Sequence, residues 1–295
     1  MEQSVDLKQV LGYKFQPQAV SYNRRDVLTY ALGIGACEER FAYEDDGDFA
    51  TFPTYPVVLS MKGTSSDVVQ FGTGGDMIPP GLVIDPGRLL HGEQSIELFG
   101  DLPTEGEFTQ ESRVVGFWDK GKGALMETET LMKDAQGTVV CKLGSGIFFR
   151  GLTGFGGERG DSAPKNVPPK RAPDVVEEIQ TRPEQALLYR LSGDYNPLHA
   201  DPSMAQMVGF ERPILHGLCS FAISARGVLK GLCDNDPSKL RSVQVRFVSP
   251  VYPGETLVVE AWRDGNGAIF QTKVKERNLL VIANARADFT PRSRL

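Results

Sequence analysis

The sequence predicts an α+β fold built from two copies of one unit. First, Trp118-Asp119-Lys120-Gly121-Lys122-Gly123-Ala124 is echoed by Trp262-Arg263-Asp264-Gly265-Asn266-Gly267-Ala268, at an offset of 144 residues. Second, Leu102-Pro103-Thr104-Glu105-Gly106-Glu107-Phe108, just ahead of the first echo, resembles Val251-Tyr252-Pro253-Gly254-Glu255-Thr256-Leu257, just ahead of the second. Third, Gly151, Gly154, Gly156, Gly157 and Gly160 are followed by Pro164, Pro168, Pro169 and Pro173. Such a glycine-then-proline stretch cannot hold a regular element and reads as a connector. Matching motifs in the same order indicate duplication of a unit of roughly 130–150 residues. The expected divisions are residues 1–150, a connector over 151–177, and 178–295.

Each unit opens on a helical pattern, Arg25–Leu32 in the first and Pro183–Arg190 in the second. The strongest helix is Gly217 to Lys230, where Leu218, Phe221, Ala222, Ala225, Val228 and Leu229 recur at helical spacing. Four β-rich runs follow: Val243–Val248, Thr256–Trp262, Ala268–Val274 and Leu279–Ala283, with Pro-Gly or Gly-Asn-Gly at their turns. A mostly apolar helix ahead of antiparallel strands buries itself by lying against their sheet.

The bulk composition narrows the function classes. A formal charge of −6 lacks the basic field of a nucleic-acid binder. No apolar run approaches the ~20 residues of a membrane span, and the polar start Met1-Glu2-Gln3-Ser4 is not expected to be a signal peptide. Cys37, Cys141, Cys219 and Cys233 are scattered without a C-x-x-C pair, so they read as small core residues rather than zinc ligands or a nucleophile. The last three residues, Ser293-Arg294-Leu295, are a variant of the peroxisomal address whose parent form is S-K-L.

Chemistry concentrates in Tyr189-Arg190-Leu191-Ser192-Gly193-Asp194-Tyr195-Asn196-Pro197-Leu198-His199. A carboxylate, an amide and an imidazole fall within six residues, on a segment that Gly193 and Pro197 mark as a turn. Asp and His suit proton transfer near neutral pH. Further on, Ile214-Leu215-His216-Gly217-Leu218 opens the apolar helix, and a glycine there leaves a backbone N–H at a helix start, a natural oxyanion donor. Asp194 could equally satisfy a local Asx-turn, and His199 could be a core histidine. Two of the three histidines, His199 and His216, lying close in sequence favours the chemical reading. A metal site from Asp194, His199 and His216 is disfavoured, since no third acidic ligand accompanies them at helical spacing. Gly72-Thr73-Gly74-Gly75-Asp76 is no dinucleotide fingerprint, and Gly144-Ser145-Gly146 is no nucleophile elbow.

The Tyr189–His199 string, continuing to Ala205, resembles the signature of the (R)-specific enoyl-CoA hydratases, the MaoC-like branch of the hot-dog superfamily, and specifically the hydratase 2 family. The likeness extends to Pro213–Leu218, to Arg246–Gly254, and to Leu90-His91-Gly92-Glu93-Gln94 in the first half. The resemblance implies a double hot dog, with two repeats of an antiparallel sheet wrapped around a helix. It implies that Asp194 and His199 are the catalytic pair, that Asn196 supports them, and that the Gly217 N–H binds the thioester oxygen. It implies an acyl-CoA site lined by His91, Gly92, Lys120, Tyr195, Pro197, Leu198 and Phe247. The substrate is then an acyl-CoA thioester, and no cofactor is expected, CoA being part of that substrate. A stand-alone hydratase, a homodimer and a peroxisomal import receptor as partner are the corresponding expectations. A hot-dog thioesterase or a silent acyl-CoA binder are the alternatives. The first half has Leu32-Gly33-Ile34-Gly35-Ala36 where the second has its acid and base. One active site per chain is therefore expected, with the first half free to accommodate the acyl tail.

Overall fold

A computed structural model describes residues 3–72, 78–161 and 165–289. Residues 73–76 and the terminal Ser293-Arg294-Leu295 lie outside the described residues. The elements run β1 (Ser4–Val5), α1 (Leu7–Val10), β2 (Gln18–Tyr22), α2 (Arg24–Gly33), α3 (Glu39–Ala42), α4 (Leu59–Lys62), β3 (Leu82–Val83), β4 (Leu89–Leu98), β5 (Gly106–Asp119), β6 (Gly123–Lys133) and β7 (Val139–Arg150). After the connector come β8 (Val175–Gln180), α5 (Gln185–Tyr189), α6 (Pro202–Met207), α7 (Gly217–Cys233), β9 (Leu240–Phe247), β10 (Thr256–Asp264), β11 (Gly267–Val274) and β12 (Leu279–Phe289).

The predicted helix and the four predicted strands of the second half all form within about three residues of their expected ends, except that β12 runs on from the expected Ala283 to Phe289. The connector gives up its last three residues to β8, because Val175 to Glu177 pair with β10. The two Trp-containing echoes are equivalent hairpins, β5–β6 and β10–β11, each closed by a tight glycine turn.

One ten-stranded sheet passes through both halves in the order β2-β5-β6-β7-β4-β9-β12-β11-β10-β8. The order reads as two equivalent five-stranded sheets joined edge to edge at an antiparallel β4–β9 seam, where Ser95 faces Gln244. This is the double hot dog the resemblance implies. It also changes the ground for a dimer: the edge-to-edge sheet pairing that hot-dog units use is made here within one chain.

The inner faces of the two halves differ. In the second half Leu257, Val259, Ala261, Phe270, Val274, Ala285 and Ala287 are buried in one apolar core with α7. α7 is apolar nearly all round and buries twelve of its seventeen residues, as a helix wrapped by a sheet must. The exception on that face is Thr272, whose hydroxyl is satisfied by Ser224 of α7 at 2.8 Å. Among the described residues of the first half, no long helix lies in the equivalent place. A 3-10 turn over Tyr55–Val58 runs into the single turn of α4. Register places Ser112, Thr130, Thr128, Ser145, Gln94 and His91 on the inner face of β5, β6, β7 and β4. This polar row divides the apolar side chains in two. Phe108, Met132, Cys141, Leu143 and Ile96 join the main core, while Val114, Phe117, Met126 and Phe149 pack with Val10, Leu82 and Leu152 in a second one. Ser112, Thr128, Thr130 and Ser145 keep part of their surface accessible although they face inward.

Candidate active site

The catalytic turn is assembled by short-range chemistry. Gly193 adopts φ +133°, a conformation that side chains disfavour, and breaks the chain away from the 3-10 turn Arg190–Ser192. The Asp194 carboxylate then accepts the N–H of Asn196 at 3.2 Å. The Asn196 side chain accepts the N–H of Leu198 at 3.0 Å and caps a 3-10 turn over Pro197–His199, with Pro197 at its first position. Asn196 thus acts here by shaping the turn. Tyr195 is nearly buried, with the Arg190 guanidinium 4.8 Å from its ring centre.

His199 donates from Nδ1 to the carbonyl of Ile214 at 2.8 Å, which leaves the Nε2 lone pair free to accept a proton. His216 donates from Nε2 to the backbone carbonyl of Asp194 at 3.0 Å, which assigns its lone pair to Nδ1. The two imidazoles stack, with centroids 3.7 Å apart and planes 26° apart. One side-chain donor atom each of Asp194, His199 and His216 lies within 4.8 Å of the others. The two rings are stacked rather than splayed about a common point, an arrangement unlike the tetrahedral ligation of one ion.

Burial holds the His199 pKa below its ordinary value of 6.5, against the opposing pull of the Asp194 charge and the Ile214 carbonyl. Burial, with His199 beside it, keeps His216 well below 6.5. Both rings are therefore neutral at neutral pH, and His199 is a base rather than a cation.

His216 is also the residue before α7, and it offers no side-chain cap to the helix. Gly217 is the first helical residue, where N–H groups have no partner within the helix. The positive end of the α7 dipole reinforces them. A Cβ on Gly217 would stand 3.6 Å from the Phe247 ring, so that ring covers the helix start. Phe247 in turn packs edge-on to His91, centroids 5.2 Å apart. His91 shares hydrogen bonds at Nε2 with the Glu93 carbonyl and the Ser145 hydroxyl. Its edge stays partly accessible, yet dense packing lowers its pKa, with Asp194 close enough to oppose the shift. Gly92 sits at the irregularity in β4 where a Cβ would approach the Gly146 carbonyl.

Asp194, His199, Gly217, Phe247 and His91 are thus brought together, from a turn, a helix start and the paired ends of β4 and β9. Lys120 is not. It lies in the β5–β6 turn, with β6 and β7 between it and the strand of His91, and its ammonium donates to the Asp161 carbonyl at 2.8 Å. Sequence reasoning used His216 for its closeness to His199 in the chain, as a weighed metal ligand and as the neighbour of Gly217, and gave it no place against the His199 ring. Its stacking on His199 joins segments that no local spacing relates. A separate cleft of about 390 Å³ lies at the opposite end of the β4–β9 seam, lined by Leu98, Phe99, Leu240 and Arg241 among others. Its Arg40 and Arg241 are paired with Asp48 and Glu97.

Comparison with known proteins shows the family and the fold. Residues 164–285 match the model of the MaoC like domain, and residues 20–151 match that of the MFE-2 hydratase 2 N-terminal domain. The chain is 40% identical over 294 residues to a Dictyostelium discoideum protein named probable enoyl-CoA hydratase 2, covering 98% of each. It is 40% identical over 287 residues to the peroxisomal enoyl-CoA hydratase 2 of Arabidopsis thaliana, covering 93% of this chain and 92% of that one. The solved structure of a MaoC-like dehydratase from Phytophthora capsici superposes with a TM-score of 0.93 at 42% identity, covering 98% of this chain and 99% of that one.

Proposed function

The chain belongs to the MaoC-like hydratase 2 family, and on that premise we propose that it hydrates trans-2-enoyl-CoA reversibly to (3R)-3-hydroxyacyl-CoA in peroxisomal fatty-acid β-oxidation. The observation that carries this reading is the free Nε2 of His199 beside the Asp194 carboxylate, at the start of a helix that presents the Gly217 N–H. Water adds across a double bond conjugated to a thioester. Its oxygen bonds to the β-carbon as His199 Nε2 takes one of its protons. The Asp194 carboxylate receives that proton from His199 and delivers it to the α-carbon, so both groups return to their starting states. Negative charge develops on the thioester oxygen, and the Gly217 N–H stabilises it more in the transition state than in the substrate. The reaction written this way uses no metal and no organic cofactor.

The acyl group is assigned to the open inner face of the first half, which continues from His91 along Ser145, Thr128, Thr130 and Ser112. Tyr195, Pro197 and Leu198 line the entry beside the catalytic turn. Lys120 is assigned to the far end of CoA, as a surface charge for the nucleotide rather than a group near the reacting carbons.

A single assay tests the reaction class. Loss of the absorbance of the conjugated enoyl thioester without release of free thiol supports hydration. Thiol release would indicate a thioesterase instead, and neither signal would indicate a silent binder. The tripeptide Ser293-Arg294-Leu295 and the peroxisomal name of the Arabidopsis relative support a reading of peroxisomal residence. Deleting the tripeptide should leave activity intact and abolish receptor-dependent import. Assembly as a homodimer, through surfaces other than the β4–β9 seam, is tested by sedimentation. No described helix is long and apolar enough to cross a membrane.

A further inference from the structure

Lys62 lies outside every group that contacts the catalytic histidines. It ends α4 in the first half, and its side chain is 9% exposed. Its ammonium donates to the Ser21 carbonyl at 2.8 Å and stands 3.3 Å from an Asp26 carboxylate oxygen. Asp26 is fixed in turn. It forms a reciprocal capping box with Asn23 at the start of α2, and its own side chain is only 14% exposed. The residue after Lys62, Gly63, accepts the Ser21 N–H on β2 at 3.2 Å. The end of α4 is therefore clamped between β2 and the start of α2.

This clamped backbone meets the catalytic turn. A Cβ on Gly193 would stand 2.8 Å from the Cβ of Lys62 and 3.0 Å from its Cα and N. Backbone atoms cannot swing aside as a flexible side-chain tip does. Gly193 is thus glycine for two reasons, its φ of +133° and the close approach of Lys62. The next residue is Asp194. A buried cation held by one carboxylate is costly to keep for stability alone, and a packed apolar pair often does as well. Here the pair sets the position of a main-chain surface on which the acid-bearing turn rests.

We propose that Lys62, fixed by Asp26, is a positioning residue of the active site. It acts through Gly193 to set the height of the Asp194 carboxylate relative to His199. A half that carries no acid or base of its own thereby supplies the floor for the half that does. Misplacement of a reacting group by about 1 Å can cost ~10²-fold in rate, so the effect belongs in kcat. The inference rests on the hydratase reading. Loss of hydration in Asp194→Asn tests that reading, whereas the Lys62 series tests only this one.

The experiment measures kcat and KM for crotonyl-CoA hydration in Lys62→Met, Lys62→Arg and Asp26→Asn, with thermal unfolding of each. Lys62→Met should lower kcat about 10- to 100-fold with KM within twofold of the parent. Lys62→Arg, which keeps a cation opposite Asp26, should recover most of that loss. Asp26→Asn should show the same kcat-selective loss, smaller in size. In an Asp194→Asn background, Lys62→Met should have no further effect on residual turnover, because the group it positions is already gone. An equal fold-loss in both backgrounds overturns the proposal, as does a rise in KM with kcat intact. If neither Lys62→Met nor Asp26→Asn folds, the clamp serves the fold alone and the proposal is equally overturned.

Discussion

The two halves share one plan and differ in what covers the sheet. In the second, α7 of seventeen residues fills the concave face and brings Gly217 to the reacting centre. In the first, one turn of α4 stands in the equivalent region and a hydroxyl row divides the apolar face. A duplicated scaffold tolerates this asymmetry because the sheet is continuous through β4 and β9, so neither half needs to be stable alone. The half with the complete core carries the chemistry, since a rigid helix start and a tight turn hold donors and bases in place. The half with the hydroxyl row keeps part of its inner face accessible.

The largest test of this division is removal of the acid or the base. Asp194→Ala and His199→Ala should each lower kcat by roughly 10³-fold or more, with little change in unfolding temperature. The double variant should be no worse than the poorer single one, because the two groups serve one water. Multiplied losses would break the shared-water mechanism. Gly35→Ala in the first half, at a position with no acid or base, should leave the chemical step in place, with a cost to stability from its φ of +72°.

Next in size is the oxyanion donor. Gly217→Pro removes the N–H at the one helix position where proline is tolerated. His216 already has the extended backbone, φ −56° and ψ 136°, that precedes proline comfortably. The expected loss in kcat is about 10²- to 10³-fold, or ~3 kcal/mol. Circular dichroism should show α7 retained. Unchanged turnover in this variant would remove Gly217 from the mechanism.

The pH dependence joins the two halves, because burial lowers the pKa of His91 in the first as it does those of His199 and His216 in the second. Burial lowers the His199 pKa below 6.5, so hydration should be fully active at neutral pH and fall only as pH drops through that lowered value. The stability sign follows from the same shift. His199 and His216 are neutral in the folded protein, while the unfolded chain binds protons at them below about 6.5. Their contribution to stability is complete above that value and is lost as pH falls through the folded pKa values. Urea midpoints measured from pH 7.5 to pH 5 should decline. A midpoint that rises on acidification would contradict buried neutral imidazoles.

Smaller effects should mark the substrate-holding half. Thr130→Leu places an apolar branch in the hydroxyl row and should raise KM for long-chain enoyl-CoA several-fold while leaving crotonyl-CoA almost unaffected. Lys120→Ala should raise KM by a few-fold for every chain length, with kcat unchanged, since it removes binding common to ground and transition states. A kcat-only effect at Lys120 would place it nearer the chemistry than three strands' distance allows.

Much of this site was legible because its chemistry is local. Gly193, Asp194, Asn196, Pro197 and His199 form a turn whose geometry depends on neighbours two or three residues away. The start of α7 at Gly217 follows from helical periodicity, and the duplication follows from two echoes of one hairpin. Other features depend on strand register and sheet order, which no local spacing encodes. The β4–β9 pairing carries His91 and Phe247 to the same end of the seam and leaves Lys120 beyond two intervening strands. Stacking of His216 on His199 arises only when α7 docks beside the turn. Lys62 meets Gly193 across 131 positions of chain, with only a lysine before a glycine to mark it in the sequence. The sequence by itself therefore determined the turn that carries Asp194, Asn196 and His199, because short-range hydrogen bonds and backbone conformation build it. The tertiary structure alone decided what supports and surrounds them, because that is set by long-range packing of one half against the other.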